Sequence, residues 1–166
     1  MLGANRRIMR KMNEYKFIVH HISNIFFLFF VFSFTLVEYS YADRQFPILR
    51  DSIEQVQQGK VLYDQNCASC HKKDLSGTKN WRSTDSDGHT VPPPLNGTAH
   101  TFHHSDELLH NIIKYGFNNL IKNYQGKMLG FGDKLSDNDI DSILAYIKTY
   151  WSEDIYLNHL DMSKNE

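Results

Sequence analysis

The chain has 166 residues and a formal net charge of −1, which is room for one domain and a targeting segment. Beyond residue 42 it carries 13 Lys+Arg against 17 Asp+Glu, a net of −4. That balance excludes the basic face that nucleic acid requires, and it speaks for solubility more than for a partner.

Residues 1–42 read as a secretory signal peptide. Arg6, Arg7, Arg10, Lys11 and Lys16 form a basic start with only Glu14 against them. Residues 25–37 are apolar except for Ser33 and Thr35, and Ser40-Tyr41-Ala42 places small residues where a signal peptidase reads. Cleavage is expected before Asp43. The rival is an uncleaved anchor, for which thirteen apolar residues are short against the ~20 needed to span a bilayer. Met9 and Met12 are alternative start positions.

Residues 43–51 are a polar approach containing Pro47 and read as loop. Ser52 is placed to cap a first helix carrying Ile53, Val56 and Tyr63. Their spacings of three and seven put them on one helical face. Gly59 sits inside that pattern at a cost of roughly 1 kcal/mol against Ala. Such a glycine predicts close backbone contact with another element; the plainer reading is a tolerated Gly near a helix end.

Cys67-Ala68-Ser69-Cys70-His71 is a C-x-x-C-H sequence, the attachment pattern of a c-type haem. On one helical turn the two sulfurs point to the same side, placed for thioethers with two vinyl groups. His71 follows at once and can bind the iron through an imidazole nitrogen. C-x-x-C also serves as a disulfide or a thioredoxin-like redox pair, and two cysteines with histidines can form a zinc site. No β-α-β pattern flanks the pair, and no second cysteine pair exists. Those absences weaken the two alternatives.

Residues 72–90 form a long polar loop with Leu75 and Trp81 as its only apolar members. Trp81 reads first as a satellite packing residue, because a buried indole needs only some acceptor; the functional reading is a donor to a haem propionate. Residues 92–97, Pro-Pro-Pro-Leu-Asn-Gly, are extended and stiff. His89, His100, His103 and His104 read as solvated loop histidines, with a second metal site or an alternative iron ligand as the functional readings. Ser105, Asp106 and Glu107 cap and charge the start of a helix over residues 106–115. Leu108, Leu109, Ile112, Ile113 and Tyr115 are expected to face inward, and Gly116 stops it.

Of five methionines, three lie at or before position 12, which leaves Met128 in a Gly-punctuated loop and Met162 near the C-terminus. Ser136-Asp137-Asn138-Asp139 opens the last helix like a capping box. Ile140, Ile143, Leu144, Ile147 and Trp151 then form an inward stripe. The tail, residues 152–166, is charged and expected to have little order.

Together, Gly59-x-x-x-Tyr63-x-x-x-Cys67, the C-x-x-C-H, Pro93-Pro94-Leu95-Asn96-Gly97, the Met128 loop and Leu144-Ala145-Tyr146-Ile147 resemble the class I cytochromes c, over residues 52–151. The resemblance implies an all-α cytochrome c fold wrapped around one covalently attached haem c per chain, with Gly59 and Tyr63 crossing a C-terminal helix at Tyr146. It implies thioethers at Cys67 and Cys70, and His71 and Met128 as axial iron ligands. By the same resemblance Leu95 and Phe131 pack on the haem, and the Pro93 carbonyl accepts from His71. The triple Pro departs from the usual Gly-Pro opening and leaves Pro94 as the neighbouring choice. Leu129 stands where many relatives have Pro.

The implied function is a periplasmic monohaem carrier of single electrons, with no catalytic residues. Its partners are redox proteins: a membrane oxidoreductase or oxidase, or soluble donors. A membrane is involved only if the N-terminal segment is uncleaved, and no nucleic acid is. The alternative is a haem protein with an open or His-ligated sixth position, acting as a peroxidase-like enzyme, gas binder or sensor.

Overall fold

A computed structural model describes residues 46–124 and 126–164. The signal segment expected over residues 1–42, and positions 43–45, lie outside the described residues.

The described residues form six α-helices and no named strand. They are α1 (Ile53–Asn66), α2 (Ala68–His71), α3 (Asp106–Tyr115), α4 (Phe117–Leu120), α5 (Asp137–Lys148) and α6 (Glu153–Lys164), with a 3-10 turn at Thr101–His103 before α3. None of these helices is long and apolar enough to cross a membrane. The fold is all-α, as the sequence predicts.

Three helix starts are built as the sequence reads. The Ser52 side chain accepts from Gln55 N (3.2 Å), and the Ser105 side chain from Leu108 N (3.3 Å). Ser136 and Asp139 close a reciprocal capping box at α5. Such caps are worth about 1 kcal/mol each. They set where each helix begins, and so where its buried face points.

The centre of the domain is the crossing of α1 over α5, at Gly59. A Cβ on Gly59 would lie 1.8 Å from the Ser142 carbonyl oxygen and 3.0 Å from the Tyr146 Cβ, so only glycine lets the two backbones approach this closely. One turn on, the Tyr63 ring packs tilted against Tyr146 with centroids 5.5 Å apart. Ile140, Ile143, Leu144, Ile147 and Trp151 are all buried, which is the inward stripe. Ala145, Tyr146 and Lys148 are buried as well, so α5 is enclosed on nearly every side.

Ile53 is not buried with Tyr63 of the same helical face, and two expected inward positions of α3 turn out. Ile53 is 75% exposed, because it lies in the first turn, about 9 Å along the axis before the crossing. Leu108 and Tyr115 are exposed too. Seven residues apart, they share a flank beside the buried stripe of Leu109, Ile112 and Ile113.

The tail is the larger correction. Residues 153–164 form α6, with Tyr156, His159 and Ser163 buried. These recur at three and seven, one helical face, but the face is polar and shows no apolar period. Its partners lie elsewhere in the chain: His159 Nε2 meets Asp106 Oδ1 (2.9 Å), His159 Nδ1 meets the Phe102 carbonyl (3.1 Å), and Ser163 Oγ accepts from Asp106 N (3.1 Å). Asp106 also holds the fully buried Lys148 ammonium (2.6 Å), which donates to the Ile48 carbonyl (2.7 Å). Ile48 N donates back to Asp106 (2.7 Å). Arg50 donates to the carbonyls of Lys148 (2.9 Å) and Trp151 (3.0 Å) and pairs with Glu153. The described part of the approach segment, residues 46–51, is loop, and it is clamped onto α5 and α6.

Candidate haem site

Cys67 ends α1, its N–H bonded to the Tyr63 carbonyl (2.8 Å). The chain then makes one more helical turn, with the N–H groups of Cys70 (3.1 Å) and His71 (2.9 Å) both returning to the Cys67 carbonyl. That turn puts Cys67 and Cys70 on one side and delivers His71 inward, where it is buried. Lys72 breaks the helix at φ +65, a conformation unfavourable for a residue with a Cβ. The Tyr63 hydroxyl, donating to the Lys72 carbonyl at 2.8 Å, fixes it there.

Cys67 is half-buried and Cys70 exposed, and the two are not joined as a disulfide. Burial first, then the neighbouring Cys70, pushes the Cys67 thiol up to about 11.

His71 is oriented by the proline strap of residues 92–95. Its Nδ1–H donates to the Pro93 carbonyl at 2.9 Å; a carbonyl can only accept, so the proton sits on Nδ1 and Nε2 is the nitrogen left for a metal. Pro93, not Pro94, faces the ring; the Pro94 carbonyl takes the Thr101 hydroxyl (3.3 Å). Burial lowers the His71 pKa, with the Pro93 bond pulling the other way. The neutral ring is the form a metal binds. Gly77 makes the strap's approach possible: at φ +56, a Cβ there would lie 2.4–2.6 Å from the Pro93 carbonyl group and the Pro94 nitrogen.

Met128 lies in a loop laid along the end of α3. Phe131 N donates to Ile113 O (2.9 Å) and Gly132 N to Lys114 O (2.9 Å), while Gly116 pairs with Leu129 as an isolated bridge. Leu129, next to Met128, is 71% exposed. Cys67, Leu95, Met128 and Phe131 are all half-buried at the rim of one hydrophobic cluster. The donor set therefore fits a covalently held haem: two unpaired thiols on one turn, a neutral imidazole with Nε2 spare, a thioether and an apolar rim.

The other candidates make contacts of their own. Trp81 stacks on His100 (centroids 4.9 Å, 21°) with the Arg82 guanidinium 4.2 Å over its ring. His104 meets His100 edge-on, and His103 lies against Phe102. Among the described residues, the one group of three metal-type ligands is Asp85, Asp87 and His89. The Lys127 ammonium already sits on both of its carboxylates, at 2.6 and 3.5 Å. Sequence reasoning missed Gly77 and the Trp151 indole, which donates to the Leu95 carbonyl at 2.9 Å. The spacing of Trp151 showed only that it points inward.

A helix crossing sealed by glycine, followed at once by a C-x-x-C-H turn under a proline strap, defines a c-type cytochrome domain. The family model described as cytochrome c oxidase, cbb3-type, subunit III matches residues 54–147, and the chain belongs to that family. A comparison with curated proteins gives no match. A c-type cytochrome domain carries covalently bound haem c, and the chain is accordingly a haem-based electron carrier.

Proposed function

We propose that this chain is a periplasmic one-electron carrier whose haem is tethered through Cys67 and Cys70 and ligated axially by His71 and Met128. The observation that carries the reading is the His71 Nδ1–Pro93 carbonyl bond at 2.9 Å, because it commits one ring nitrogen to the protein and keeps the other for iron. Bound haem supplies reversible one-electron exchange. Cys67 and Cys70 would hold it by two thioethers. Pro93 fixes the tautomer and plane of His71. Met128 offers a soft, neutral sulfur, a ligand that favours ferrous iron and raises the potential. Leu95 and Phe131, at the rim of the core, keep water from the ring.

Export before Asp43 is consistent with this chemistry, since attachment needs reduced thiols delivered to an assembly system outside the cytoplasm. The family description supports redox partners in a respiratory oxidase, met through small transient interfaces.

The test is the optical spectrum of protein exported alongside a haem-attachment system, followed by the pyridine haemochrome in alkali. Expected are a c-type haemochrome and the weak far-red sulfur-to-iron band of the ferric protein. Covalent haem without that band would remove Met128 from the ligand set. Absence of haem would overturn the whole assignment.

A further inference from the structure

Every carbonyl of the strap is taken. Pro92 accepts from Thr78 N (2.9 Å), Pro93 from His71 Nδ1 (2.9 Å), Pro94 from Thr101 Oγ (3.3 Å) and Leu95 from Trp151 Nε1 (2.9 Å). The prolines have no N–H, so the only backbone donor in the strap is Leu95 N, which bonds to Leu75 O (2.8 Å). Where the strap lies, and so where the Pro93 carbonyl points, is decided by these five bonds. Four come from residues 71–78 and 101. The fifth comes from Trp151, four residues past the span matched to the family.

Trp151 is itself held from behind. It is buried, its ring lies edge-on to His159 (4.8 Å, 71°) and Phe102 (6.4 Å, 70°), and its carbonyl takes Arg50 (3.0 Å). His159 is anchored to Asp106 and to the Phe102 carbonyl. Helix α6 thus stands as a back-stop to an indole whose one polar atom reaches the strap.

We propose that Trp151 is a positioning residue for the axial histidine: its indole N–H fixes the Leu95 carbonyl, two residues from the Pro93 carbonyl that orients His71, and so sets the ferric–ferrous balance of the haem. The inference rests on His71 being an iron ligand. A hydrogen bond from the far ring nitrogen makes imidazole a stronger donor and locks its plane. A stronger donor favours ferric iron. Freeing the Leu95 carbonyl slackens the strap, weakens the Nδ1–H bond and shifts the balance toward ferrous.

The experiment uses the exported holoprotein and Trp151→Phe, which keeps an aromatic ring and deletes the donor. Expected is full covalent haem with a more positive potential: an about threefold change in the ferric/ferrous ratio, about 28 mV at 59 mV per tenfold for one electron. The His71 Nδ1 proton exchanges faster. Ser136→Ala, which removes the N-cap at the far end of α5, is the stability control: its melting temperature falls while the potential stays. By reciprocity, opening of the Trp151 indole bond in the unmodified protein must also differ about threefold between the two oxidation states, as read by indole hydrogen exchange. This second measurement needs no variant to fold. A variant with lowered melting temperature and unmoved potential, or indole exchange identical in both oxidation states, would overturn the proposal. A failure of the ligand assignment is seen separately, as unmodified protein lacking a c-type haem, and takes the inference down with it.

Discussion

Replacing Asp106 with Asn should destabilise the domain more than any other single polar change. Asp106 and Lys148 are both fully buried, and one carboxylate serves the Lys148 ammonium, the His159 ring and the Ile48 N–H. Asn is close in shape but uncharged, and it leaves a buried cation without its counter-charge. Breaking one side of a buried pair in this way costs about 3–5 kcal/mol. For a domain of this size that is a fall in melting temperature of roughly 10–25 °C, measured on the holoprotein by circular dichroism. Burial alone would raise the Asp106 pKa, but the bonds from His159 and Lys148 outweigh it and the net shift is downward. A depressed carboxylate contributes stability that is present above its unfolded value of about 3.9. It is lost as pH falls through the folded value. The gap between the two proteins should therefore be full at neutral pH and narrow as pH drops below ~4. Adding Lys148→Met to Asp106→Asn should recover part of the loss, with a coupling of about 1–3 kcal/mol in the double-mutant cycle. A melting temperature within a few degrees of the unmodified protein, or strictly additive variants, would refute the reasoning.

Gly59→Ala forces a methyl group into the Ser142 carbonyl 1.8 Å away. The α1–α5 crossing must open, so the loss should exceed the ~1–3 kcal/mol typical of overpacking, read as lowered melting temperature or failure to retain haem. Cys67→Ala with Cys70→Ala should abolish covalent attachment, so that acid and organic extraction strips the haem; retention through that treatment would break the central assignment. Met128→Ala should keep covalent haem but lose the sulfur band and lower the potential. An unchanged potential would remove Met128 as a ligand.

The parts of this fold legible in the sequence are those whose cause is local. Ser52, Ser105 and Ser136 bond to N–H groups three residues away, so their caps can be read from spacing alone. The C-x-x-C-H turn is equally local: its hydrogen bonds return to Cys67 within four residues. Gly59 was legible for a different reason. A glycine costs helix stability, so its presence marks a contact even when the partner is unnamed. The choice between Pro93 and Pro94 was not legible, because a run of three prolines carries no register. The structure sets that register through Thr78 on Pro92 and Thr101 on Pro94.

What the sequence hid was paired by chemistry across long separations. Asp106 reads as a helix-dipole residue and His159 as part of a charged tail, and nothing in the sequence singles out Lys148. Each reading is reasonable alone, since lone charged residues are seldom fully buried. Separated by 42 and 53 residues from Asp106, Lys148 and His159 become interior only together. A polar face buried against polar partners has no apolar period, so α6 cannot be found by the periodicity that finds α5. The same cluster explains why residues 46–51 stay in place without helical structure: Ile48 supplies both its N–H and its carbonyl to the Asp106–Lys148 pair. Polar pairing of residues 48–50 and α6 with α3 and α5, then, holds the face from which Trp151 reaches the strap. The haem motif is read from five adjacent residues, whereas the frame that aims its histidine is assembled from residues up to 88 positions beyond His71.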